Sequence, residues 1–168
     1  MQLEWMGKNR KFVEKMIRYG NMYASIYKKE DYYGTDIPIS FAQVQVLEYI
    51  LENEELHQNM RMIASRLGIT PSNFTKIVNK LVSKKLLAKQ YMEGSRKNIT
   101  ILATDKGREV YQEYSQYIYD LSFSKMFAQL EQIPEETMNM IAAGFEDAIW
   151  LGESPEELDV ELKETANN

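Results

Sequence analysis

The stretch Ile63-Ala64-Ser65-Arg66-Leu67-Gly68-Ile69-Thr70-Pro71-Ser72-Asn73-Phe74-Thr75-Lys76-Ile77-Val78-Asn79-Lys80-Leu81 carries the punctuation of two short helices joined by a tight turn. Ile63, Ala64 and Leu67 share a face of the first helix, which Asn59 can cap. Gly68 follows the last apolar residue, where a left-handed turn suits glycine. Thr70 then offers an N-cap oxygen, and Pro71 takes the first helical position, where its missing N–H costs nothing. Phe74, Ile77, Val78, Leu81 and Val82 line one stripe of the second helix. Helix, glycine-bearing turn and capped second helix make a helix-turn-helix pattern.

The opposite face of that second helix carries the chemistry. At about 100° per residue, Ser72, Lys76, Asn79, Lys80 and Ser83 fall away from the apolar stripe. Such side chains grip phosphates and read base edges. Thr70, Pro71, Asn73 and Thr75, around the first turn, complete the candidate DNA-contacting set, because N-terminal amides also favour a phosphate. An ordinary surface helix would mix glutamate and aspartate into its outer face, yet residues 70–91 contain no acid. An acid-free α-helix of this kind fits the major groove of B-DNA.

Next come Leu86–Tyr91, the polar run Met92-Glu93-Gly94-Ser95-Arg96-Lys97, and Asn98–Ala103. β-Branched and apolar residues on both sides of a glycine-bearing loop predict a hairpin. A tip carrying Arg96 and Lys97 beside a recognition helix is placed to enter a neighbouring minor groove. Thr104 caps a long helix through about Gln129, and Pro134-Glu135-Glu136 starts a last one reaching about Leu151. Upstream, apolar positions recur at three- and four-residue steps from about Lys8 to Tyr33, predicting one helix broken at Gly34–Pro38. Ser40 caps the next helix, Gln43 completes a capping-box pattern, and the helix runs to about Asn53 over Phe41, Val44, Leu47, Ile50 and Leu51.

With 168 residues and a hydrophobic fraction of 44%, the chain suits one structural domain with an oligomerisation arm. No apolar run could span a bilayer, and the N-terminus lacks the pattern of a signal peptide. Absence of cysteine excludes disulfides and thiol sensing and points to the cytoplasm. The net charge of −5 hides an asymmetry: residues 61–108 hold eleven Lys or Arg against Glu93 and Asp105, while the remainder holds nine bases and twenty-three acids. A basic middle in an acidic chain points to nucleic acid.

Catalytic signatures are missing: there is no cysteine–histidine pair, glycine-rich phosphate loop or serine nucleophile motif, so no enzyme is expected. His57 is the only histidine, and with Glu54 and Glu55 it forms a loop cluster of the kind that is usually solvated. Neither a metal site nor a cofactor is expected.

The Ile63–Ser72 core, the Val78-Asn79-Lys80-Leu81 continuation and the wing ending in Ala103-Thr104-Asp105-Lys106-Gly107 resemble the MarR family of winged-helix transcriptional regulators, over residues 8 to 152. The resemblance implies a mainly α fold with a small β-hairpin wing. It further implies an N-terminal dimerisation helix over residues 1–36, a winged helix-turn-helix lobe over 37–104, C-terminal dimerisation helices over 105–152 and an acidic, frayed tail over 153–168. A homodimer binding a palindromic operator in double-stranded DNA, usually as a repressor, follows from the same likeness. The family's wing carries an Asp-x-Arg triplet. The matching positions here are Ser95, Arg96 and Lys97, and a one-residue slip would make Arg96 the minor-groove arginine, so both cations stay candidates. Ala103 replaces the family's leucine before Thr104, which predicts a looser wing base.

Nine of eleven tyrosines fall at positions 19–33 or 111–119. In proteins like this, small aromatic or anionic effectors lodge between the dimer helices and the DNA-binding lobes. Tyr19, Tyr23, Tyr27, Tyr111 and Tyr114 are the candidate pocket, set against the alternative that these rings pack a dimer interface. The expectation is a ligand-responsive DNA-binding repressor. The alternative is a winged-helix protein-interaction module without direct DNA binding.

Overall fold

A computed structural model describes residues 4–56, 60–91 and 99–149. They divide into two compact units, one ending at Asp120 and the other beginning at Leu121. In the first, a 3-10 turn (Glu4–Asn9) leads into α1 (Arg10–Ile26), then α2 (Phe41–Asn53), a 3-10 turn (Glu54–Leu56), α3 (Met60–Arg66), α4 (Pro71–Ser83), strands β1 (Leu87–Tyr91) and β2 (Ile99–Ala103), and α5 (Asp105–Ile118). The second holds α6 (Ser124–Leu130) and α7 (Glu135–Ile149). The chain is mainly helical with a two-stranded antiparallel hairpin, Leu87 opposite Ala103 and Tyr91 opposite Ile99. Among the described residues no helix is long and apolar enough to cross a membrane.

The caps form as the residue types demand. Ser40 accepts from the Gln43 amide, Thr70 from the Asn73 amide and Thr104 from the Gly107 amide, each in extended backbone before its helix. Pro71 opens α4, and Gly68 turns the chain with φ +63°. The Asn59 cap lies outside the described residues, as do the tail 153–168 and the expected end of the last helix at Leu151.

Three expectations are corrected. The first helix stops at Ile26, seven residues short of Tyr33. Asp31 and Ile39 pair as an antiparallel bridge, and Tyr33 takes φ +44°, so residues 31–39 form a closed loop instead. The helix after Thr104 ends at Leu130, close to the expected Gln129, but not as one α-helix: α5 stops at Ile118, and a π-helical turn (Tyr119–Phe123) joins it to α6. Gln43 does not complete a capping box with its side chain, which is drawn to Glu30 and Lys84.

The core of the first unit gathers Ile39, Val46, Leu47, Phe74, Val78, Leu81, Leu86, Leu87 and Val110, all essentially inaccessible to solvent. Phe41 and Leu51, expected in this core, are only half-buried. At the junction of hairpin and α5 the backbones touch. A Cβ on Gly107 would lie 2.1 Å from the Leu86 carbonyl oxygen, so only glycine lets α5 start there. Thr104 sews the same junction: its hydroxyl donates to the Lys85 carbonyl at 2.7 Å and its amide donates to that of Leu86 at 3.1 Å.

Candidate nucleic-acid interface

Helix α4 is seated by Phe74, Ile77, Val78 and Leu81, all buried, which turns its other face outward. Ser72, Thr75, Lys76, Asn79, Lys80 and Ser83 are exposed there, with Thr70 and Pro71 exposed at the N-terminal end and Asn73 half-buried. No acidic residue belongs to the helix. Not every hydroxyl is equally available: Thr75 donates to the Pro71 carbonyl at 2.8 Å and Ser83 to that of Lys80 at 2.7 Å. Their oxygens remain as acceptors. The Thr70 oxygen is committed to its cap.

The lysines split into two groups. Lys76 and Lys80 stand on the outer face, Lys80 with its ammonium also 3.7 Å from Glu30 Oε1. Lys84, which residue type alone would count among the phosphate contacts, points inward. Its ammonium donates to the Pro38 carbonyl at 2.6 Å and to Gln43 Oε1 at 2.8 Å, and it lies 3.1 Å from Glu30 Oε1. Gln43, itself buried, donates to Glu30 Oε1 at 2.6 Å. Burial alone would raise the Glu30 carboxyl. The hydrogen bonds from Lys84 and Gln43, with the charges of Lys84 and Lys80, hold it below its ordinary value. This cluster fastens the C-terminal end of α4 to α2 and to the loop after α1.

A second carboxylate anchors the hairpin. Glu54 accepts from the Ala103 amide at 2.9 Å and from the Arg108 guanidinium, and those bonds lower its carboxyl against the upward push of burial. Residue type gave Glu54 the look of a solvated loop charge, and sequence reasoning missed this clamp because its partners lie about fifty residues away. Lys89 was missed as well: from β1 it donates to Asn79 Oδ1 at 2.6 Å. Ser95, Arg96, Lys97 and His57 lie outside the described residues.

The candidate effector tyrosines part company. Tyr23 and Tyr114 join Tyr33 and Phe41 in an edge-to-face cluster with centroids 5.1–6.2 Å apart. Tyr19 and Tyr27 flank Tyr23 along α1. Tyr27 donates to Gln45 Oε1 at 2.7 Å and Tyr111 to Glu48 Oε1 at 2.6 Å. Burial first, then the Glu48 carboxylate, pushes the Tyr111 hydroxyl well above its ordinary value, and burial does the same for Tyr114. A cavity of about 990 Å³ lies elsewhere, between α2 and α3, lined by residues that include Tyr49, Glu52, Arg61 and Arg66.

A buried-stripe helix presenting an acid-free polar face beside an anchored hairpin defines a winged helix-turn-helix protein. Residues 37–94 match the model of the MarR family. Lactococcus lactis ZitR in complex with DNA shares the fold with a TM-score of 0.60 at 15% identity, over 88% of this chain and 99% of that one. The S. aureus MepR–DNA complex gives 0.60 at 17%, over 85% and 96%. The PcaV transcriptional regulator of Streptomyces coelicolor, with its natural ligand, gives 0.58 at 14%, over 88% and 96%. No curated protein matches the chain. Over residues 37–94 the chain is thus similar to the MarR family, and its fold is that of these winged-helix regulators.

Proposed function

We propose that this protein is a dimeric, sequence-specific DNA-binding repressor of the cytoplasm whose α4 enters the major groove while the hairpin tip reaches the adjacent minor groove. The observation that carries this reading is the outer face of α4: Lys76, Asn79 and Lys80 exposed together on a helix that carries no acid of its own and whose other face is locked in the core. ZitR and MepR are relatives of the same fold seen with DNA, which supports it.

The dimer finds support in α1, which buries none of its 17 residues and exposes Met16, Ile17, Tyr19 and Met22. In α7, Met140 and Ile141 are exposed as well. Apolar surface of this extent calls for a partner. Two recognition helices related by a dyad would address half-sites about 34–36 Å apart, in a palindromic operator. PcaV is seen with its natural ligand, and a small aromatic or anionic effector is proposed here for the tyrosines of α1 and α5.

Gel-shift titration tests the reading. Lys76→Ala with Arg96→Ala should abolish operator binding while sedimentation still reports a dimer. Unchanged affinity in that double variant, or no salt-sensitive retention of any duplex by the parent chain, would defeat it in favour of a protein-interaction module.

A further inference from the structure

Asn79 stands on the exposed face of α4, between Lys76 and Lys80 in sequence, and Lys89 reaches it from β1, where it is paired with Ile101. The Lys89 ammonium lies 2.6 Å from Asn79 Oδ1. An ammonium has three donors and no acceptor, so chemistry alone orients the amide: oxygen toward Lys89, Nδ2 away from it. We propose that Lys89 and Asn79 act together as a two-donor unit that makes this protein select guanine over adenine at one operator position. The proposal rests on the DNA-binding reading above.

Asparagine by itself favours adenine, because its oxygen accepts from the N6 amino group while its Nδ2 donates to N7. The neighbouring ammonium alters both halves of that match. It draws on the amide oxygen, and it sets a positive charge and a further donor where the adenine amino group would have to come. Guanine presents two adjacent acceptors, N7 and O6, and no donor on that part of its major-groove edge. Two adjacent donors, Nζ of Lys89 and Nδ2 of Asn79, complement it. Thymine, with the single acceptor O4, satisfies only one of them, and the cytosine amino group satisfies neither. Lys89 is thereby assigned to specificity, a role that α4 alone does not suggest, since the two residues are ten positions apart.

Selection from random duplexes at fixed salt, with the full chain, tests this. Asn79→Ala identifies the base pair by losing its preference there. At that pair the parent chain should favour guanine over adenine by about 5- to 150-fold, the range of one good two-point contact. Lys89→Met should move the preference from guanine to adenine, and Lys89→Arg should retain guanine. Lys89 is only partly exposed but lies outside the core, and Lys89→Arg shows whether a cation at this position suffices. An unchanged base preference in Lys89→Met, with affinity falling evenly on all duplexes and the salt slope falling by about one, would place Lys89 on a phosphate and overturn the proposal while leaving DNA binding intact. Failure of the parent chain to bind any duplex would overturn both.

Discussion

The ammonium of Lys84 lies 3.1 Å from the carboxylate of Glu30, closing a gap of more than fifty residues between the end of α4 and the loop after the first helix. The side chain of Lys84 is only 17% exposed, and it satisfies the buried amide of Gln43 as well. Removing it leaves Glu30 and Gln43 short of a donor. Lys84→Met should therefore lower stability by about 1–3 kcal/mol in urea unfolding. The salt slope of DNA binding separates this role from a phosphate contact. It should stay unchanged in Lys84→Met at temperatures where the variant is folded, whereas Lys76→Ala should reduce it by about one.

Acid should weaken the fold through two carboxyls. Glu30 and Glu54 both titrate below their ordinary 4.5 in the folded chain. Between the folded and unfolded values the unfolded state binds more protons, so the stabilisation is complete above about 4.5 and is lost as pH falls through the lowered folded values. Urea midpoints measured from pH 7 to pH 3 should fall along an acid limb. That limb should be shallower in Glu54→Gln, whose remaining side chain cannot titrate.

The tyrosine hydroxyls give the opposite signature at high pH. Tyr111 and Tyr114 are pushed above the ordinary 10.0 by burial, with the Glu48 carboxylate adding to it. A neutral acid whose folded value is raised stabilises the fold below about 10, and this contribution is lost as pH rises further. Alkaline absorbance titration should leave at least these two of the eleven tyrosines un-ionised until the chain unfolds. Glu48→Gln should bring the Tyr111 titration down.

Two backbone positions should respond in opposite senses to substitution. Lys85 ends α4 in the left-handed region, φ +62°, and the helix closes in a Schellman motif: the Leu86 amide donates to the Leu81 carbonyl and the Lys85 amide to that of Val82. Glycine is the residue suited to that position, so Lys85→Gly should raise stability by about 1 kcal/mol, read as a higher Tm. Gly107→Ala should do the reverse, by about 2 kcal/mol or more, because its methyl would meet the Leu86 carbonyl oxygen.

Much of the architecture was legible because it is written in local interactions. A hydroxyl at Ser40, Thr70 or Thr104 finds its amide three residues on, whatever the rest of the chain does. The stripe Phe74–Ile77–Leu81 needs only the helical period, and the same period shows which face of α4 must look outward. From these local rules alone follow the helix-turn-helix, the hairpin and the acid-free surface.

Tertiary structure decided what the chemically similar side chains are free to do. Lys76 and Lys84 are the same residue type eight positions apart, yet one faces outward and the other is held by Pro38, Gln43 and Glu30. Glu54 became an anchor for the hairpin, and Lys89 a partner of Asn79, through neighbours that only folding brings near. The first helix ended early for the same reason: the Asp31–Ile39 bridge outweighed a helical pattern that continued on paper. Residue type and spacing determine a charge and a periodicity. Which oxygen or nitrogen that charge meets depends on contacts between distant segments, whose closure no short window of sequence contains.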